Sequence, residues 1–139
     1  MAQYGLEDGW HGLGNWAGQL GDGTTKSRNT PVQVNDLRSI TAIATKGQHS
    51  VVLKSDGTVW TWGRNAYGQL GDGTTTDRHA PVQTRVLNKI ISIAGGGYHG
   101  LARKADGTIW AWGLNTYGQV GDGSITDRAI PVSVSGLDN

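Results

Sequence analysis

Cysteine and phenylalanine are both absent from the 139 residues, and proline occurs three times. Without cysteine there is no disulfide framework, no thiolate nucleophile and no Cys-ligated zinc. Neither sign of charge dominates, with 12 basic and 11 acidic side chains. That balance makes no electrostatic case for nucleic acid or for an acidic membrane surface. No apolar run is long enough to span a bilayer. Met1 to Gly5 supplies neither a basic region nor an apolar stretch, so no signal peptide is read there and the cytoplasm is the default expectation. No window sustains a helical period, because glycine or proline interrupts every long candidate.

What the chain has in quantity is glycine, 23 residues, and tryptophan, six. The glycines are placed periodically. Gly-Gln-Leu-Gly-Asp-Gly stands at Gly18–Gly23 and Gly68–Gly73, and Gly-Gln-Val-Gly-Asp-Gly at Gly118–Gly123, a period of 50 residues. A fixed period of that length is the mark of a repeat architecture. The six-residue stretch itself is a turn-rich loop. Residues 56–84 match residues 106–134 at 18 of 29 positions.

Between loops, each unit offers four short strand candidates. In residues 31–80 these are Pro31–Val34, Ile40–Ala44, His49–Lys54 and Thr58–Trp62, with Asp56-Gly57 as a hairpin turn. The cycle is expected to restart at Pro81 and run to residue 130. Residues 1–30 then form a partial unit, with a strand in Met1–Glu7 and a hairpin at Asp8-Gly9. Residues 131–139 form the first strand of a further unit. The expectation is an all-β single repeat domain of β-propeller blades, about three per chain, two complete and one split between the termini. Propellers close with about 4–8 blades, and three would leave broad apolar faces bare. The chain is thus read as part of a longer propeller or as a self-assembling ring. In the ring, Pro131–Val134 would complete the first blade of the next copy by strand exchange.

The motif run Gly47-Gln48-His49-Ser50, Asp56-Gly57-Thr58-Val59-Trp60-Thr61-Trp62-Gly63, Asn65-Ala66-Tyr67-Gly68-Gln69-Leu70-Gly71-Asp72-Gly73 and Pro81-Val82 resembles the repeat family of the regulator of chromosome condensation. Kelch and WD repeats carry other signatures. The resemblance implies a seven-bladed propeller acting mainly as a binding platform. The founding member promotes nucleotide exchange on the GTPase Ran, through a wedge that departs from the repeat, and docks on chromatin. Here the repeat spacing is unbroken. The plant ultraviolet-B photoreceptor is another relative, and its sensing motif is Gly-Trp-Arg-His-Thr. The corresponding stretches are Lys46-Gly47-Gln48-His49-Ser50 and Gly96-Gly97-Tyr98-His99-Gly100, with glycine where the sensing tryptophan would stand.

Trp60 and Trp62, two apart on a strand, face the same way, as do Trp110 and Trp112; packing between blades is the expectation for all four. His49 and His99 share a repeat position and are expected to make a buried hydrogen bond tying strand to loop. Asp22, Asp72 and Asp122 are expected to accept backbone N–H bonds in the glycine loops. Arg28, Arg78 and Arg128 are expected to pair with a carboxylate such as Asp72 or Asp77. Trp10 and Trp16 break the tryptophan spacing and are better placed for surface binding. No triad, metal-ligand set or phosphate loop emerges, so no catalytic residue, metal or cofactor is expected.

These residues favour a non-enzymatic protein-interaction scaffold. Its contact surface would lie on the loop face around Trp16, Arg64, Tyr67 and Tyr117. Its partner would be another copy, the rest of a longer propeller, or another protein. The alternatives are a carbohydrate-binding propeller, with Trp or Tyr stacking on sugars, and a guanine-nucleotide exchange factor on family analogy alone.

Overall fold

The structure, a computed structural model, describes residues 14–137. It contains two four-stranded antiparallel sheets. The first comprises β1 (Ile40–Lys46), β2 (His49–Lys54), β3 (Val59–Gly63) and β4 (Arg78–Gln83). The second comprises β5 (Ile90–Gly95), β6 (His99–Lys104), β7 (Ile109–Gly113) and β8 (Arg128–Ser133). Each is a meander in which strands pair in chain order.

The tight reversals follow from Asp-Gly. Asp56 Oδ1 accepts from the Thr58 amide at 3.0 Å and hydroxyl at 2.6 Å, and Gly57 takes a φ of 80° that a side chain would resist. Asp106, Gly107 and Thr108 repeat the arrangement. This turn pairs Leu53 with Val59 and Val52 with Trp60, and a further bulge between Thr61 and Gly63 admits β4.

The sheets pack face to face and approach each other where β5 meets β1 and β2. Val51, Leu53 and Val59 of the first sheet bury against Leu87, Ile90, Ala102 and Trp112. The other face of the first sheet is covered by residues preceding β1: Val52 and Trp62 pack with Val34 and Leu37. Every residue of β2 but the last is therefore buried, whereas β6 buries only Gly100 and Ala102. Strand periodicity explains the difference. Leu101 and Arg103 point from the opposite face of the second sheet, over which no sheet lies among the described residues.

The phase of the repeat differs from the sequence expectation. Pro81 and Val82 do not open a unit; they lie in β4, where Val82 pairs with Thr61 and closes the first sheet. Pro131 and Val132 close the second sheet in the same way, with Val132 opposite Ala111. The sheets accordingly run from Ile40 to Gln83 and from Ile90 to Ser133. The misleading feature is the glycine loop. It is the longest interruption in the unit, yet it folds back between third and fourth strands, and the shorter stretch from Thr84 to Lys89 is what links the sheets. Proline suits this outer position, since an edge strand needs fewer N–H donors. Strand exchange through Pro131–Val134 falls with this correction, because β8 is already paired within its own chain. Pro31–Val34 is not a strand in the structure. The expected strand at Met1–Glu7, the Asp8-Gly9 hairpin and Trp10 lie outside the described residues.

Candidate functional site

The glycine loop of the first sheet spans residues 64–77 and is built around Asn65, which is fully buried. Its Nδ2 donates to the carbonyls of Thr74 (3.0 Å) and Thr76 (2.9 Å) and to Asp72 Oδ1 (3.1 Å), and its Oδ1 accepts from the Leu70 amide (3.0 Å). Asp72 Oδ1 also accepts the Thr74 amide at 2.9 Å, and Asp72 Oδ2 pairs with Arg78 Nε at 2.8 Å. Burial pushes the Asp72 carboxyl up, but hydrogen bonds from Thr74, Arg78 and Asn65 outweigh it and hold the pKa below the ordinary carboxylate value. The same network recurs around Asn15, with Asp22 and Arg28, and around Asn115, with Asp122 and Arg128. Hydrogen bonds from Ser124 and then Arg128 lower Asp122 to about 2. Asn15, Asn65 and Asn115 were not singled out from the sequence, although their 50-residue recurrence was the available signal. Arg28, Arg78 and Arg128 pair with the aspartate of their own loop. Asp77 instead accepts the Asn65 amide at 2.7 Å.

The loops around Asn15 and Asn65 each lap over the following sheet. Trp62 Nε1 donates to the Gln19 carbonyl at 2.9 Å and Trp112 Nε1 to the Gln69 carbonyl at 2.8 Å. The amides of Gly23 and Gly73 donate to the outer strands, at His79 and Ala129, both at 2.9 Å. Gly71 must lack a side chain here. Its φ is 64°, and a Cβ would come within 2.7 Å of Thr84 and 3.0 Å of the Trp112 ring. Trp60 and Trp110 lie on the same face as their partners but are only half-buried. Their indole N–H groups bond Thr58 and Thr108, and Lys54 and Lys104 sit over their rings.

At the end of the sheets that carries these loops, Arg64 collects aromatic rings from three successive repeats. Its Cζ lies 5.5 Å from the Trp16 ring, 5.8 Å from Tyr67 and 5.7 Å from Tyr98. Tyr67 and Tyr98 meet edge to face at 5.4 Å. Gln48 fixes the arginine, accepting Arg64 Nη1 on Oε1 at 2.8 Å and the Arg64 amide on its carbonyl at 2.9 Å. Three of the four residues expected on the contact surface, Trp16, Arg64 and Tyr67, thus come together. Tyr117 does not join them and stands 88% exposed on the second sheet's loop. Tyr98 was missed, because its repeat counterpart is Gln48 and periodicity gives it no weight.

His49 departs from its expected role. It is fully buried, and neither ring nitrogen has a hydrogen-bond partner among the described residues. At position 49 the ring is packed at the start of the second strand and makes no strand-to-loop bond. Burial, with a smaller contribution from the charge of His99, lowers the pKa of His49 to about 4, so it is held neutral.

Four-stranded meanders stacked face to face, each clasped by the glycine loop of the one before, define an array of β-propeller blades. The model of the regulator of chromosome condensation (RCC1) repeat matches residues 12–53, 56–103 and 106–139, and a second model of that repeat matches 40–69 and 90–119. The chain belongs to the RCC1 repeat family. Among solved structures it is similar to human WBSCR16, at 26% identity and a TM-score of 0.75 over 86% of this chain and 33% of that one. It is also similar to Prp20p from Saccharomyces cerevisiae, at 24% identity and 0.74 over 88% and 33%. Yeast RCC1 (Prp20) bound to Kap60 gives 27% and 0.70 over 84% and 28%. The chain therefore spans about a third of the length of these proteins. No curated protein sequence gives a significant match.

Proposed function

We propose that this chain is a non-enzymatic protein-interaction module, whose contact surface is the loop end bearing Trp16, Arg64, Tyr67 and Tyr98. The observation that carries the reading is the convergence of three rings, from three repeats, around the Arg64 guanidinium. Aromatic and arginine side chains dominate the energetics of protein contacts, and loops on a rigid scaffold are where binding concentrates. The similar yeast protein is described as binding Gsp1p and histones, and it is bound to Kap60 in a further structure. Protein partners for this chain are in keeping with that. The guanidinium lies over rings on which a sugar would have to stack, which favours a protein ligand over a carbohydrate. The open face of the second sheet, with Leu137 58% exposed where its counterpart Leu87 is 3% exposed, fits a further blade from a second copy.

Selection from a displayed random peptide library tests the contact surface. Peptides that bind the chain should lose at least about tenfold in affinity on Trp16→Ala combined with Tyr98→Ala, in line with the loss of about 1.4 kcal/mol or more. They should keep it on Asn88→Ala, at the opposite end of the sheets. Equal affinity for both variants, or no selected peptide, would refute the assignment.

A further inference from the structure

Arginine at position 64 breaks the repeat. The residues that hold the loops together recur every 50 positions, but the counterparts of Arg64 are Gly14 and Leu114. The recurring arginines are neutralised by their aspartates: Arg28 by Asp22, Arg78 by Asp72 and Arg128 by Asp122. Arg64 has no carboxylate within ion-pair distance among the described residues. A guanidinium carries five N–H donors in a rigid plane. Among the described residues only the bond to Gln48 engages them. Rings lie around the guanidinium, and a cation–π contact leaves its charge in place. The result is a half-buried cation held in position by three rings and one amide, with most of its edge donors unspent.

We propose that this cluster receives the carboxylate of an aspartate or glutamate side chain in a partner protein segment. The inference rests on the protein-interaction reading above. A carboxylate presents two oxygens that match two parallel N–H groups of a guanidinium, and one guanidinium balances its single charge. Because the arginine is already ordered by Gln48 and the rings, little rotamer freedom is lost on binding. Trp16, 46% exposed, then offers ring surface to the residues flanking the acidic one.

The test uses peptides selected on the full chain as described above. Each selected peptide is resynthesised with its acidic residue replaced by the amide isostere and, separately, by phosphoserine. The acidic form should bind at least about tenfold more tightly than the amide form. That advantage should vanish on Arg64→Gln and shrink on Arg64→Lys, which keeps the charge but not the fork, with the thermal transition of both variants unchanged. It should also fall as salt is raised, since part of it is electrostatic. If acidic and amide peptides bind equally, or the selected peptides carry no acidic residue, the carboxylate assignment fails while the contact surface stands. A phosphoserine form that binds tenfold more tightly than the acidic form also overturns it. If no peptide is selected, the underlying reading fails first.

Discussion

The loops at residues 64–77 and 114–127 have nearly the same sequence and different surroundings. Inside, they are alike: Asn65 and Asn115 bond the same set of carbonyls, Leu70 and Val120 are both buried, and each aspartate pairs with its arginine. Outside, they part. The Gln69 carbonyl accepts from Trp112 and the Gly73 amide donates to Ala129, whereas the second loop meets no further sheet among the described residues. Tyr117 of that loop is 88% exposed, whereas its counterpart Tyr67 is half-buried. The shape of the loop is therefore set by its own buried polar network around Asn65 and Asp72, although Gln69 Nε2 is buried with no partner among the described residues. The neighbouring sheet adds burial to a structure that is already formed. Each repeat presents a finished half of a clasp, and the last one described is open.

The largest effect that could break this comparison is closure of the open clasp by another copy. Leu137 is 58% exposed where its counterpart Leu87 is 3% exposed, and Tyr117 is 88% exposed on the neighbouring loop; exposed apolar surface of this kind marks association sites on stable proteins. Light scattering at micromolar concentration is expected to return a mass above the 14.7 kDa of one chain. A single-chain mass throughout that range would show that the face does not recruit a second copy, and the two sheets would then differ in solution as they do in the structure.

Much of this was legible in the sequence, because repeats state the same constraint more than once. The four-stranded unit, the Asp-Gly hairpins and the shared face of Trp60 with Trp62 all follow from spacing. The position of the glycine loop within the unit did not. A loop stabilised by Asn65 and Asp72 can return the chain to the sheet it left, and local turn signals do not distinguish that return from a departure to the next sheet. Pro81 sharpened the error, since proline suits the start of a strand and an outer strand equally. Arg64 and Tyr67 were visible as polar and aromatic residues on a loop. Tyr98 was not, because the cluster is made by stacking of repeats and only three-dimensional proximity selects it.

His49 and His99 sharpen the comparison by pH. They hold the same position in the two sheets, but His49 is sealed between sheets while His99 is only half-buried. Burial lowers both pKa values, to about 4 for His49. The unfolded chain, with an ordinary imidazole near 6.5, binds the proton first. Stability is therefore complete above about pH 6.5 and is lost as pH falls towards 4, by about 3 kcal/mol for His49 alone. The lowered carboxylates, Asp72 and Asp122 among them, lose stability only at lower pH, through their own depressed values. Urea unfolding of His49→Leu should show a flattened profile between pH 4 and 6.5. At neutral pH its stability should match or exceed that of the parent, because the leucine leaves no buried ring nitrogen without a partner. A profile unchanged by the substitution would mean that His49 is not sealed between the sheets.

The smallest effect is also the most direct comparison. Gly68 and Gly118 stand at the same place in the two loops, with φ values of 72° and 73°. Alanine at either position meets the same backbone strain, about 1 kcal/mol in the left-handed region. The surroundings differ. A Cβ on Gly68 would come within 2.5 Å of the Ala129 Cα, a backbone atom of β8, whereas the nearest atom to one on Gly118 is the Ser124 carbonyl oxygen at 4.0 Å. Gly68→Ala must therefore push the loop off the sheet, adding roughly 1–3 kcal/mol by the usual cost of overpacking. Measured by urea unfolding at a dilution that gives single chains, Gly68→Ala should cost about 2 kcal/mol more than Gly118→Ala. Equal costs there would mean that the loop does not clasp the next sheet in solution. In an assembly that closes the open clasp, the two costs should converge, because Gly118 then acquires the neighbour that Gly68 already has.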